Sequence, residues 1–207
     1  MTTLCRKFEA SNGFHKPIST IALLPDTIPA GPIDLRRWRP SDVDGIVEAV
    51  TASLAELRVW MPWAKEHPAT DVYTDVVSGF DAAFDTGAEF VFGMFEVPGF
   101  VIVGSCGLHF RRGPGVAEVG YWVRSDRQRR GYATAAARAL TIAAFRHLDD
   151  VGAIHITMDK ANTASAGVAA KLGYELGQEE DREVLAPGHT GRGLRWVVKR
   201  ADWPSST

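Results

Sequence analysis

The stretch EVGYWVRSDRQRRGYA, residues 118–133, decides the fold of this chain. An apolar strand headed by Glu118 runs into a basic turn, and the turn opens into an alanine-rich helix. The first turn of a helix carries N–H groups that have no partner within the helix. The helix dipole adds partial positive charge at the same end. Together they make an anion site from backbone alone. The core of the turn is Gln128-Arg129-Arg130-Gly131-Tyr132-Ala133, the pattern Gln-x-x-Gly-x-Ala, with Thr134 next in the helix. Gly131 lets the chain turn tightly and lets a phosphate come close. Arg127, Arg129 and Arg130 surround it with positive charge. The pattern is neither a Walker loop nor a Rossmann fingerprint, so a generic nucleotide reading is weak.

Working outward, the helix behind the turn is predicted over 131–148. Alanine is the best helix former. Ala133, Ala136, Ala137, Leu140, Ala144 and Leu148 fall on one face at helical spacing. Ahead of the strand, Ile33 to Trp38 reads as a first strand. Pro40-Ser41-Asp42 reads as a helix start, followed by Val43, Ile46, Val47 and Val50 at helical spacing. Thr70 to Thr86 reads as a helix with Val72, Val76, Phe80 and Phe84 on one face and Thr70 as N-cap. Residues 88–97 and 100–110 read as two strands joined by Pro98-Gly99. After the helix come a strand over 153–159, a helix over 163–172, and strands over 174–182 and 194–200. Segment 183–193, with Pro187, Gly188, Gly191 and Gly193, reads as a loop. Strands followed by alternating strand and helix make a mixed α/β sheet. Residues 1–32 read as an extension packed on a single domain of 33–203, with 204–207 as a tail.

Composition bounds the function. The chain has 207 residues, enough for one domain with a substantial core. Apolar residues make up 45% and charged residues 23%, as in globular proteins. The net charge of −2 gives no reason to expect nucleic acid, whose binding leaves a basic patch. No apolar run approaches the ~20 residues of a membrane span. Cys5 and Cys106 have neither metal-ligand nor disulfide-framework spacing. No metal is expected, and a reducing cytoplasm is the natural compartment.

Two segments carry a resemblance. Gln128–Ala133 resembles motif A of the GCN5-related N-acetyltransferases (GNAT). Asn162-Thr163-Ala164-Ser165, closing on Lys171-Leu172-Gly173-Tyr174, resembles motif B. The step from Gly131 to Lys160 fits a helix, a strand and then the second helix. Ala117 to Trp122 and Trp60-Met61-Pro62-Trp63 are similar to the RimJ/RimL-type branch. The likeness covers roughly residues 33 to 200. It implies a mostly antiparallel central sheet flanked by helices, and acetyl-CoA as co-substrate. The pyrophosphate would lie on Gln128, Arg129, Arg130, Gly131, Tyr132, Ala133 and Thr134. The backbone of Tyr121, Trp122 and Val123 would pair with the pantetheine arm and supply an oxyanion donor. It implies Ser165 as the proton donor to the leaving thiolate, and Asn162 on the pantetheine arm or as a helix cap. A helix ahead of Trp60–Trp63 would line the acceptor groove, and the C-terminal strands would form a homodimer.

Acetyl transfer from a thioester to an amine needs few parts. The amine is largely protonated at neutral pH, so a carboxylate must take a proton from it. The thioester oxygen gains charge and needs an N–H donor. Attack within a ternary complex needs no enzyme nucleophile. Glu118 heads an otherwise apolar strand, and in some family members a glutamate at the matching place is the base. Its alternative is an ion pair with Arg111 or Arg112 that positions the strand. The competing base is Glu183, Glu179 or Glu180. His109 and His155 read as sheet-face or edge histidines. The acceptor would be a protein N-terminus or a small amine. A silent acyl-CoA-binding module would keep the turn without needing a base.

Overall fold

A computed structural model describes residues 23–64 and 66–204. The described residues open with two short strands, β1 (Thr27–Ala30) and β2 (Ile33–Arg37). Three helices follow: α1 (Val43–Thr51), α2 (Leu54–Trp60) and α3 (Thr70–Thr86). Strands β3 (Glu89–Glu96), β4 (Ile102–His109) and β5 (Val116–Val123) then lead to helix α4 (Tyr132–His147). Strand β6 (Ala153–Asp159), helix α5 (Thr163–Lys171), and strands β7 (Glu175–Leu176), β8 (Glu180–Asp181) and β9 (Arg192–Lys199) complete the domain. The sheet order is β1-β2-β3-β4-β5-β6-β9-β7, with β8 also beside β9. Every pairing is antiparallel except β5 with β6. This is the mixed, mostly antiparallel sheet flanked by helices that the resemblance implies.

Alternation along the strands feeds two cores. Ala117, Val119, Ile154 and Ile156 pack with the small face of α4, Ala136, Ala137, Leu140 and Ala144. Alanines let that helix lie close to the sheet. Val91 and Phe95 pack on the other face with Ile46, Val50, Tyr73 and Val77 of α1 and α3. Fully burying a side chain such as Phe92 or Leu140 contributes about 1.5–3 kcal/mol, which fixes strand register.

The structure corrects several expectations. The sheet begins inside the segment read as extension, because β1 pairs with β2 over Thr27–Ala30. Pro29 hid it, yet proline is tolerated on an edge strand. Residues 1–22 lie outside the described residues, as do 205–207 of the tail. The buried stripe of α3 is Tyr73, Val77 and Phe84, with Val72 and Val76 half-buried beside it. Ala69, not Thr70, occupies its N-cap position, without a side-chain capping bond. The strand expected over 174–182 is broken into β7 and β8, which pair separately with β9.

Candidate active site

The strand headed by Glu118 is where the sheet opens. The parallel ladder between β5 and β6 has three rungs, Val116–Ala153, Ala117–Ile154 and Glu118–His155. Past the last rung β5 runs on to Val123 and β6 to Asp159 without pairing to each other. Arg124 N–H reaches back to Val103 O of the β4 side at 2.8 Å. Backbone groups alternate sides along a strand. Trp122 therefore directs its backbone toward β4, and Tyr121 and Val123 direct theirs into the opening. An extended amide-bearing chain entering there meets their N–H and C=O groups as a further strand would.

At the end of β5 lies the anion turn. Arg129 and Gly131 both take left-handed φ, 63° and 84°. Such turns bring successive N–H groups to bear on one anion. The first intrahelical bond is Ala135 N–H to Gly131 O at 2.9 Å. The N–H groups of Tyr132, Ala133 and Thr134 precede it and have no helical acceptor. Gln128, Arg129, Arg130 and Gly131 are exposed, and Ala133 and Thr134 half-buried. The Tyr132 side chain turns inward, its hydroxyl donating to Glu96. Arg130 lies 3.4 Å from Glu96, and Arg127 Nε 3.7 Å from it. Arg127 Nε is buried and has no hydrogen-bond partner. The exposed Arg129 and Arg130 beside backbone donors that no helical carbonyl takes fit a pyrophosphate.

On the α4 side of the opening, Asn162 caps α5 by accepting the Ser165 N–H at 3.1 Å. That is its capping role. The Tyr121 side chain crosses to the same turn, with its hydroxyl 2.9 Å from Ser165 Oγ. Burial pushes the Tyr121 hydroxyl up to about 12, against the pull of the Ser165 bond. It stays protonated and can share a proton with Ser165. Cys106 is buried in the core, and burial pushes its thiol up, so it offers no nucleophile.

On the opposite face, Glu118 meets the partner that the alternative reading named. Arg112 Nε donates to Glu118 Oε2 at 2.8 Å, and Arg112 also stands 4.0 Å from Glu180. The competing acids separate here. Glu179 bridges Lys160 and Arg192 at 2.9 and 2.7 Å. Glu180 pairs with Arg195. Glu183 is exposed. Of these, Glu180 reaches the Glu118 neighbourhood. Trp122 lies on this face, its ring centroid 6.4 Å from that of Trp63.

A wall rises beside it. Helix α2 ends at Trp60, since the residue before a proline, Met61, is extended. The 182–191 loop is fastened to α2 by Gly188 N–H on Val59 O at 2.9 Å and by His189 Nε2 against Trp60 O at 3.1 Å. A Cβ at Gly188 would stand 2.7 Å from Val59 O, so only glycine allows this approach. Asp159 ties the loop to β6 by accepting Thr190 N–H at 2.8 Å and the Thr190 hydroxyl at 2.9 Å. Burial pushes the Asp159 carboxyl up, but bonds from Ala161 and Thr190 and the His189 charge outweigh it, so it sits below its ordinary value. A depressed carboxyl contributes stability that is present above its unfolded value, about 3.9, and lost as pH falls through the folded one. Asp159→Asn is expected to cost about 1.5–3 kcal/mol. Thermal melts from pH 7 to 3 check it: the gap between wild type and variant is full near pH 7 and begins to narrow below about pH 4.

Among the described residues, no group of three or more His, Cys, Asp or Glu is placed to hold a metal ion. No described helix is long and apolar enough to cross a membrane. A model of the GNAT acetyltransferase domain matches residues 33–175. The chain belongs to the GNAT acetyltransferase family. Membership makes it an acyl-CoA-dependent N-acetyltransferase with acetyl-CoA as co-substrate. Compared by sequence with curated proteins, it finds no match. Among solved structures it is similar to the RimJ of Mycobacterium smegmatis in complex with a CoA disulfide. Identity is 25%, TM-score 0.75, over 88% of this chain and 90% of that one. The ribosomal L7/L12 alpha-N-protein acetyltransferase RimL in complex with coenzyme A shares the fold at 19% identity. Its TM-score is 0.76, over 84% and 97% of the two chains. So does the ribosomal-protein-S5-alanine acetyltransferase of Vibrio fischeri, at 17% identity and TM-score 0.73 over 86% and 98%. All three share the fold of this chain.

Proposed function

We propose that this enzyme acetylates a primary amine, with a protein N-terminus as first candidate, by direct attack on acetyl-CoA in a ternary complex. The observation that carries it is the end of the β5–β6 ladder at Glu118. There the opening meets the anion turn at one end and the acids Glu118 and Glu180 on one face. The pyrophosphate rests on residues 128–134, and the pantetheine arm runs along Tyr121 and Val123. Either N–H can face the charge that grows on the thioester oxygen. Glu118 takes a proton from the amine, directly or through water. Ser165 gives a proton to the departing thiolate, held in place by the Tyr121 hydroxyl. The amine enters from the side walled by Trp60–Trp63 and the 182–191 loop. Neighbours described as ribosomal-protein acetyltransferases support the N-terminal acceptor.

The test is CoA release with peptides bearing N-terminal serine or alanine, set against small amines. Turnover on peptides alone supports the reading, and turnover on small amines alone rejects the N-terminal acceptor. Absence of acetyl-CoA binding by calorimetry sinks the whole scheme. Ser165→Ala is expected to lower kcat about 10²-fold, the low end of what a general acid contributes. Tyr121→Phe, which removes one hydrogen bond worth about 0.5–1.5 kcal/mol, lowers it a few-fold. Equal rates for wild type and Ser165→Ala in a stopped-flow thiol assay would remove Ser165 from the chemistry.

A further inference from the structure

We infer that His155 is the second member of a proton-accepting pair with Glu118, the place where the amine's proton rests before it leaves for solvent. The inference rests on the reading of Glu118 as base and extends it to a residue whose pattern reads as a plain sheet-face histidine.

The geometry comes first. Glu118 and His155 are cross-strand partners on the last parallel rung. Registered partners in a sheet project to the same face. Their chain neighbours Ala117, Val119, Ile154 and Ile156 all lie in the α4-side core. Both side chains therefore stand on the groove face, where the strands part. His155 is only 8% exposed, and its Nδ1 is buried without a hydrogen-bond partner. A buried orphan nitrogen costs free energy unless something uses it. The charges around it come from four elements: Arg112 before β5, Glu118 on β5, Glu180 on β8 and Arg195 on β9. Burial, then Arg195 and Arg112, hold the imidazole below its ordinary value, while Glu118 and Glu180 pull it back up. The ring is thus neutral at pH 7 and free to accept a proton, beside a carboxylate that stabilises the imidazolium once formed.

The step balances. An N–H bond of the ammonium breaks and its proton passes to a Glu118 oxygen. That O–H bond then breaks as an N–H bond forms at His155, across a bridging water, and the carboxylate is restored beside Arg112. The imidazolium finally releases its proton to water. An imidazole titrates nearer to neutral pH than a carboxylate, which is what makes a proton acceptor efficient there. His155 acts through Glu118 and is a positioning and relay residue.

The test uses the full-length enzyme and an N-terminal serine or alanine peptide. His155→Gln and His155→Asn are expected to lower kcat about tenfold at pH 7, with acetyl-CoA affinity by calorimetry unchanged. They also move the acid limb of the pH–rate profile, since the imidazole no longer takes the proton. Unchanged kcat and an unchanged acid limb overturn the inference and leave Glu118 as base untouched. Full activity in Glu118→Gln fails the broader reading instead. A measurement that leaves residue 155 intact guards against misfolding. The carbon-13 titration of the His155 ring should move to lower pH in Glu118→Gln, because a charge that raises it is gone. A ring that titrates alike in both proteins overturns the pairing.

Discussion

Glu118→Gln lowers kcat for CoA release by about 10²–10⁴-fold, the range contributed by a general base, while acetyl-CoA binds as before. The substitution keeps the shape and leaves Arg112 an oxygen to donate to. It removes the charge and the proton-accepting capacity. Because Arg112 sits 2.8 Å from Glu118 Oε2, the carboxylate also has a structural task. The two roles separate in one comparison. A structural role lowers the melting temperature and leaves kcat per folded molecule intact. A base lowers kcat at pH 7 and changes the melting temperature little, since an exposed ion pair is worth only about 0–1 kcal/mol. Glu180→Gln serves as the matched control, as it removes an acid near the same arginine. A large loss there with a small one at position 118 would move the base to Glu180.

The second large effect lies at the turn. Gly131→Val weakens acetyl-CoA binding about 10–100-fold by calorimetry. A residue with a Cβ at φ of 84° costs roughly 1–2 kcal/mol, and a β-branched one more. No atom lies within 4 Å of the position a Cβ would take, so the protein itself does not object by contact. The loss comes from backbone that will not hold its N–H groups together, and from a side chain standing where the anion approaches. Gly131→Ala should fall between the two. If Gly131→Val binds acetyl-CoA as tightly as wild type, the turn is not the pyrophosphate site. The expected signature is a raised Kd with an unchanged acceptor-peptide KM.

Much of this fold is legible in the sequence because its decisive elements are local. The strand–turn–helix at 118–133 and the capped helix at Asn162 announce themselves through residues close together in the chain. Strand β6 falls over 153–159 as the pattern predicts. What stays hidden is long-range. The Tyr121–Ser165 bond joins residues 44 apart in sequence, and no spacing rule foretells it. The His155–Glu118 rung depends on where two parallel strands stop pairing, which sheet geometry decides. The acid run 179–183 reads as interchangeable carboxylates until β9 supplies Arg192 and Arg195 as separate partners. The α3 stripe is misplaced by one residue because Val72-Tyr73 and Val76-Val77 are adjacent apolar pairs, and tertiary packing chooses between their members.

The 182–191 loop has a consequence beyond its place as a wall. It is held at Asp159 on the sheet and at Val59 and Trp60 on α2, whereas the anion turn is built into the start of α4. On the proposed scheme, donor and acceptor recognition sit on separable parts of the chain. A stretch from a relative could be spliced between Arg182 and Gly191, provided it brings its own equivalents of Thr190, His189 and Gly188. Such a chimera would exchange the customer while keeping the currency, so lineages can diversify in what they modify without rebuilding how they hold the acetyl group.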